Sequence, residues 1–213
     1  MKKKSINVYN SKFLILSLLL IVFIGISFAY VVMQVSGGAR NDINISADKT
    51  DQYQLNVDKD IYLNPTQFNL TQSDGNLVDS AIGTASLIAN TTYNTASYNY
   101  NVKFSISSNT FIYTTETQKP EVILTIIGPD EEEVTSVSGL NYVTIVDSRN
   151  ATITGFDITT ASGIYNIATQ NITSNDTENA TIQTWNFKVT FVNLDTNQSE
   201  NGGKGLSAQI IME

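Results

Sequence analysis

In "YNYNVKFSI", residues 98–106, every second side chain is large and apolar: Tyr98, Tyr100, Val102, Phe104 and Ile106 alternate with Asn99, Asn101, Lys103 and Ser105. A backbone that repeats every two residues puts the first set on one face and the second on the other. The stretch therefore predicts a strand with one dry and one wet face. "TWNFKVTFVNL", residues 184–194, repeats the pattern with Trp185, Phe187, Val189 and Phe191 on one side and Asn186, Lys188 and Thr190 on the other. One-sided alternation belongs to antiparallel sheets. "VILTII", residues 122–127, is apolar on both faces and predicts a central, buried strand.

Further strands are expected at 44–47, 52–57, 84–90, 141–146, 151–157, 164–171 and 206–212, in a chain rich in Thr, Asn, Ser, Ile, Val and Tyr. Turn sequences separate them: Ser73-Asp74-Gly75-Asn76, Gly128-Pro129-Asp130, Ser138-Gly139 and Asn201-Gly202-Gly203. Residues 76–82 are read as a short turn of helix. Roughly nine or ten short strands with polar turns predict an all-β fold, an antiparallel β-sandwich of Ig-like or jelly-roll type over 43–213. No repeat of solenoid or propeller length is present.

What precedes the sandwich decides where it works. Residues 1–12 form a basic tail with Lys2, Lys3, Lys4 and Lys12 and no acid. Residues 13–35 are expected to be a transmembrane helix or signal segment; from Phe13 to Met33 only Ser17, Gly25 and Ser27 interrupt an apolar run, and as a helix it would be about 31 Å long, enough for a hydrocarbon core. Lysines on the near side and acids beyond place the N-terminus inside and the body outside, with Tyr30 at the interface. The same run also reads as a signal segment with small residues at Ser27 and Ala29 and cleavage after Ala29. The body is exported on either reading: a single-pass membrane protein anchored through Phe13 to Met33, or a secreted one. Residues 36–42 are a flexible joint.

Past residue 12 the chain has 8 basic residues against all 20 acidic ones, a net charge of −12. Such a body repels nucleic acid and anionic lipid, so no nucleic-acid partner is expected. The sequence has no cysteine and no histidine. Disulfides, thiolate zinc sites, thiol nucleophiles, the His-dependent triad and the HExxH zinc site are all excluded. No catalytic residue and no cofactor-binding pattern is assigned, and the chain is read as a non-enzyme.

Four groups of residues are candidate sites. Asp130, Glu131, Glu132 and Glu133 follow the central strand; they could hold Ca²⁺ through oxygen ligands but lack the alternation of calcium loops, and a solvated hairpin tip is the simpler reading. Asp58 and Asp60 have Lys59 between them. Asn-x-Ser/Thr triplets begin at Asn44, Asn69, Asn90, Asn150, Asn171, Asn175, Asn179 and Asn197, in a composition that generates such triplets by itself. Tyr93, Tyr98 and Tyr100 offer a contact surface for sugar or protein, or a half-buried core.

The layout resembles the camelysin-like group of exported bacterial proteins, which includes biofilm-matrix fibre subunits. Its marks here are Phe28-Ala29-Tyr30 at the end of the apolar segment, where that group is cut after the Ala, the all-β body, and the closing "NLDTNQSENGGKGLSAQIIME" from Asn193 to Glu213. Val31-Val32-Met33 departs from the Phe-Ser-Asp-like continuation of the group. The metallopeptidase label borne by some members has no support in a chain without histidine. The resemblance implies a jelly-roll-like sandwich serving as a surface or matrix structural protein. The expected function is accordingly a structural or adhesive module displayed outside the membrane, self-assembling or binding other surface proteins. The alternative is a domain that binds a carbohydrate or another small ligand.

Overall fold

The computed structural model describes residues 50–65, 75–91 and 94–213. The basic tail, the apolar segment with Ala29, the joint, the strand expected at 44–47, Tyr93, Asn44 and Asn69 lie outside them. Among the described residues no helix is long and apolar enough to cross a membrane. Ten strands follow in order: β1 Gln52–Val57, β2 Ile61–Leu63, β3 Leu77–Ile88, β4 Ala96–Asn109, β5 Val122–Ile127, β6 Asn141–Val146, β7 Thr152–Asp157, β8 Gly163–Ser174, β9 Thr181–Phe191 and β10 Leu206–Met212, with a 3-10 turn at Ser199–Asn201 before the last. They form two sheets, β1-β3-β9-β5-β7-β6 and β2-β10-β4-β8, with every pairing antiparallel. The fold is an all-β sandwich.

Alternation predicts the dry faces correctly, although Ser105 and Thr190, expected on the wet faces, are buried as well. Trp185, Phe187, Val189 and Phe191 of β9 and Tyr100, Val102, Phe104 and Ile106 of β4 are all buried between the sheets, and Phe104 stacks on Phe187 at 6.0 Å between ring centroids. Burying each large side chain contributes about 1.5–3 kcal/mol, which a chain without disulfides needs. β5 is central as expected, because its two faces serve two cores. Val122, Leu124 and Ile126 belong to the main one, and Ile123 to a small second cluster with Val192 and Leu194.

That second cluster is covered by the β6–β7 hairpin, whose Val143, Ile145 and Ile153 pack against it. The hairpin pairs with β5 only through Ile123–Asp157 and Leu124–Phe156. At that crossing Gly155 has φ +146°, and a Cβ there would sit 2.5 Å from Leu124 O. Only glycine lets β7 pass so close. At its tip, Asp147 accepts hydrogen bonds from Asn76 Nδ2 (2.8 Å), Arg149 N (2.9 Å) and Ala151 N (2.8 Å), while Ser148 N donates to Asn193 O at 2.7 Å. Burial pushes the Asp147 carboxyl up, but these donors and the Arg149 charge outweigh it and hold the group below its ordinary value.

Two expectations are corrected. Residues 76–82 are not helical: Leu77–Ile88 is one long strand paired over 11 residues with β9. The apolar pairs 77–78 and 81–82 imitate a helical stripe, but the ladder overrides local preference and leaves Val78 and Ile82 facing outward. β2 was not expected at all. Three residues are too few for a periodic signal, and the strand exists because β10 offers it a partner.

Candidate functional site

The edges of its sheets are among the most reactive surfaces of a β-sandwich. β8 forms one edge of the four-stranded sheet. Its 12 residues, "GIYNIATQNITS", include no charged residue and no proline. No described strand lies beyond it. The edges of the other sheet, β1 and β6, have 6 residues each. β8 is pinned to β4 by side chains on the outer face: Asn171 Nδ2 donates to Asn99 Oδ1 (2.7 Å) and Ser97 Oγ (3.0 Å), and Thr169 Oγ1 to Asn101 Oδ1 (2.8 Å). The register slips once, between Val102 and Lys103, where Ile167 is the extra residue on β8. The bulge turns Ile167 inward beside Ala168, which breaks the alternation the sequence would otherwise show.

The opposite edge, β2, is differently made. Lys59 and Asp60 precede its three residues, and Pro65 follows two positions later. Lys59 Nζ pairs with Asp79 Oδ1, and Tyr62 N donates to Asp79 Oδ2 at 2.8 Å. Burial raises the Asp79 carboxyl, yet the Lys59 hydrogen bond and those from Tyr62 N and Ser80 N bring it below the ordinary range. Asp58 Oδ1 accepts from Ile82 N at 2.7 Å, and Tyr62 Oη donates to Asp60 at 3.1 Å. The acids at 58–60 are thus corner fastenings where the chain passes from one sheet to the other.

The remaining expected sites separate on inspection. Asp130, Glu131 and Glu132 are exposed on the turn after β5; Glu133 turns away to accept from Thr154 Oγ1 at 3.0 Å, and the four carboxylates do not converge. Tyr100 is buried; it donates to Gln183 Oε1 at 2.7 Å and accepts from Trp185 Nε1 at 3.0 Å. Tyr98 stacks on Tyr53 with centroids 4.8 Å apart. These two rings are therefore core, not a sugar platform. The Tyr53 hydroxyl is shielded without a partner, and burial, with Tyr100 second, pushes it up to about 12. Of the triplets, Asn90, Asn150, Asn171, Asn175, Asn179 and Asn197 are exposed, although the Asn171 amide is spent on the β4 ladder.

Sequence reasoning missed the buried acid Glu121. It has no exposed surface, and its carboxylate accepts four hydrogen bonds: from Thr114 N (2.6 Å) and Thr114 Oγ1 (2.7 Å) on one oxygen, from Gln198 Nε2 and Asn201 Nδ2 (both 2.8 Å) on the other. No cation is needed, because saturated hydrogen bonding replaces hydration. Since no reactant can reach either oxygen, this acid is structural. It binds the β4–β5 loop to the segment before β10, which explains what the Asn-Gln and Asn-Gly-Gly residues of the closing sequence do. The sole signal in the sequence was an acid abutting the dry strand "VILTII". No family model, no curated protein and no solved structure matches this chain.

Proposed function

We propose that this protein is a structural or adhesive module of the cell surface or extracellular matrix, held outside the membrane by residues 13–33 or released by cleavage after Ala29, and that it works by main-chain pairing at β8. The observation that carries the reading is the length and neutrality of that edge. An edge meant to stay unpaired is kept short or charged, and β8 is neither. Its partner is segment 30–47 of a neighbouring copy, whose sequence contains the β-prone "YVVMQV" and "INIS". Head-to-tail addition of that kind does not close, so it builds filaments. An uncut chain keeps the segment at its own membrane and stays a tethered monomer or small cluster. The sandwich is of the jelly-roll-like kind, a reading supported by the way most successive strands cross from one sheet to the other. The likeness of both chain ends to the camelysin-like group supports the same reading.

Two measurements test it. Protease added to intact cells should digest the body, and recovery of an intact body from the cytosol would end the surface assignment. A chain beginning at Tyr30 should polymerise in electron micrographs while one beginning at Asp51, at equal concentration, does not. If light scattering finds both monomeric, or both only as closed dimers, the filament reading fails and the ligand-binding alternative takes its place.

A further inference from the structure

Between the β6–β7 hairpin and the outer side of β9 and β5 in the same sheet lies a half-open groove of about 190 Å³. Lys188 and Thr190 of β9 and Thr125 of β5 are on the sheet side, Thr152 and Thr154 on the hairpin, and Asn76 closes the end near the latched tip. The hairpin is fixed at its root by Gly155 and at its tip by Asp147, so the groove is built before any ligand arrives. Such preformed walls spare a ligand the cost of ordering them.

The polar groups in it are unevenly committed. Thr125 Oγ1 donates to Thr154 O at 2.7 Å, Thr154 Oγ1 donates to Glu133, and Asn76 is engaged with Asp147 and with Asn193 N. Those groups are structural. Thr190 is different: it is only 3% exposed, yet its hydroxyl has no hydrogen-bond partner among the described residues and is not among the sealed orphan groups. What exposure it keeps borders the groove. Thr152 likewise has no side-chain partner, and Lys188 makes no ion pair among the described residues, in a body of net charge −12. A nearly buried hydroxyl without a partner, beside an uncommitted ammonium, marks a place for an external acceptor.

We propose that the groove binds a small hydroxylated monocarboxylate of about one sugar ring, such as a uronic-acid unit. The carboxylate takes the Lys188 ammonium, ring hydroxyls take Thr190 and Thr152, and Val78 and Ile153 cover the ring's C–H surface. The volume equals that of roughly six water molecules, too small for an ordinary drug-sized ligand and suited to a single ring. One cation matches one negative charge, and the acidic body opposes a more highly charged anion. No aromatic ring lines the groove, so a neutral sugar has no stacking platform there.

The test is titration calorimetry on the full chain in detergent, with glucuronate, glucose and acetate as probes. Glucuronate should bind and glucose should not, with acetate weaker than glucuronate. Lys188→Gln should weaken glucuronate about ten- to a hundredfold, as loss of a hydrogen bond to a charged group does, and Lys188→Arg should restore part of it. Thr190→Val should weaken it by a smaller factor with unchanged circular dichroism. No heat with glucuronate, equal binding of glucose, or a Lys188→Gln protein that binds normally would each overturn the proposal. None of these outcomes bears on filament growth at β8.

Discussion

On one side of the four-stranded sheet β2 runs for three residues, with Lys59 and Asp60 before it and Pro65 after it; on the other, β8 runs for 12 residues with neither a charge nor a proline. Both are edges of the same sheet, and among the described residues neither has a strand on its outer side. β2 carries the guards that keep edges solitary, namely shortness, charge and proline, whereas β8 is held in place from within by its hydroxyl and amide ladder to β4. The ladder stiffens β8 without blocking its outer side. A sheet guarded on one edge and open on the other can grow in one direction only. That asymmetry underlies the function proposed above.

The core that both edges share gives the largest effect. Trp185→Ala should destabilise by roughly 3–5 kcal/mol, as deletion of a buried aromatic does, and it also frees Tyr100 Oη from its donor. Lys188→Ala, outward on the same strand, should leave stability nearly unchanged. Urea unfolding compares the two. Hydrogen exchange in β2 and β8 should accelerate together in the Trp185 variant. If β8 alone opened, its openness would reflect weak packing and not an absence of guards.

Next is Glu121→Gln. One oxygen becomes an amide nitrogen facing groups that are themselves donors, which costs about 2–3 kcal/mol. The damage should be lopsided. Residues 198–205 hold β2 through Gly203 N to Pro65 O at 3.0 Å, so exchange at Ile61–Leu63 should quicken before exchange at 171–174. Equal quickening would show that the plug supports both edges alike.

How far this comparison could be read in advance depends on the element. The strands at 52–57, 122–127, 141–146 and 206–212 have the boundaries expected of them, because apolar alternation or a continuous apolar run meets polar or turn-forming residues at each end. β8 was foreseen in part; its extension to Ser174 and its bulge at Ile167 depend on the facing strand β4 and leave no local trace. The guard at β2 was written in the sequence as Asp58-Lys59-Asp60, but as a guard of nothing until β10 supplied a strand to protect. The Glu121 plug joins positions 114, 121, 198 and 201, and no spacing rule connects them. Local pattern fixes strands and faces, while sites made of loops depend on topology.

A smaller change tests the open edge directly. Thr169→Lys removes the bond to Asn101 and puts a charge in the middle of β8. Stability should fall by about 1 kcal/mol or less, since the position is exposed. Polymerisation of the chain beginning at Tyr30 should nevertheless be lost. Filaments that persisted in this variant would move the pairing surface away from β8.

The smallest effect concerns the guard itself. Lys59→Ala removes the partner of Asp79, but the lysine side chain is 51% exposed, so solvent screening limits the cost to about 0–1 kcal/mol. Its pH dependence is specific. The folded Asp79 carboxyl lies below its ordinary value of 3.8, so its stabilising contribution is complete above that value and is lost as pH falls through the lower, folded one. Without Lys59 the folded value moves back toward 3.8, and the difference between variant and parent should shrink at acid pH, where Asp79 is protonated in both. High salt should shrink it too. Urea midpoints across the acid range, at low and high salt, measure this. Removing the charge also tests what guards the edge: a three-residue strand offers too few backbone groups to hold a neighbour, so Lys59→Ala in the chain beginning at Asp51 should remain monomeric by light scattering. Aggregation of that variant would show that charge, and not shortness, keeps β2 unpaired.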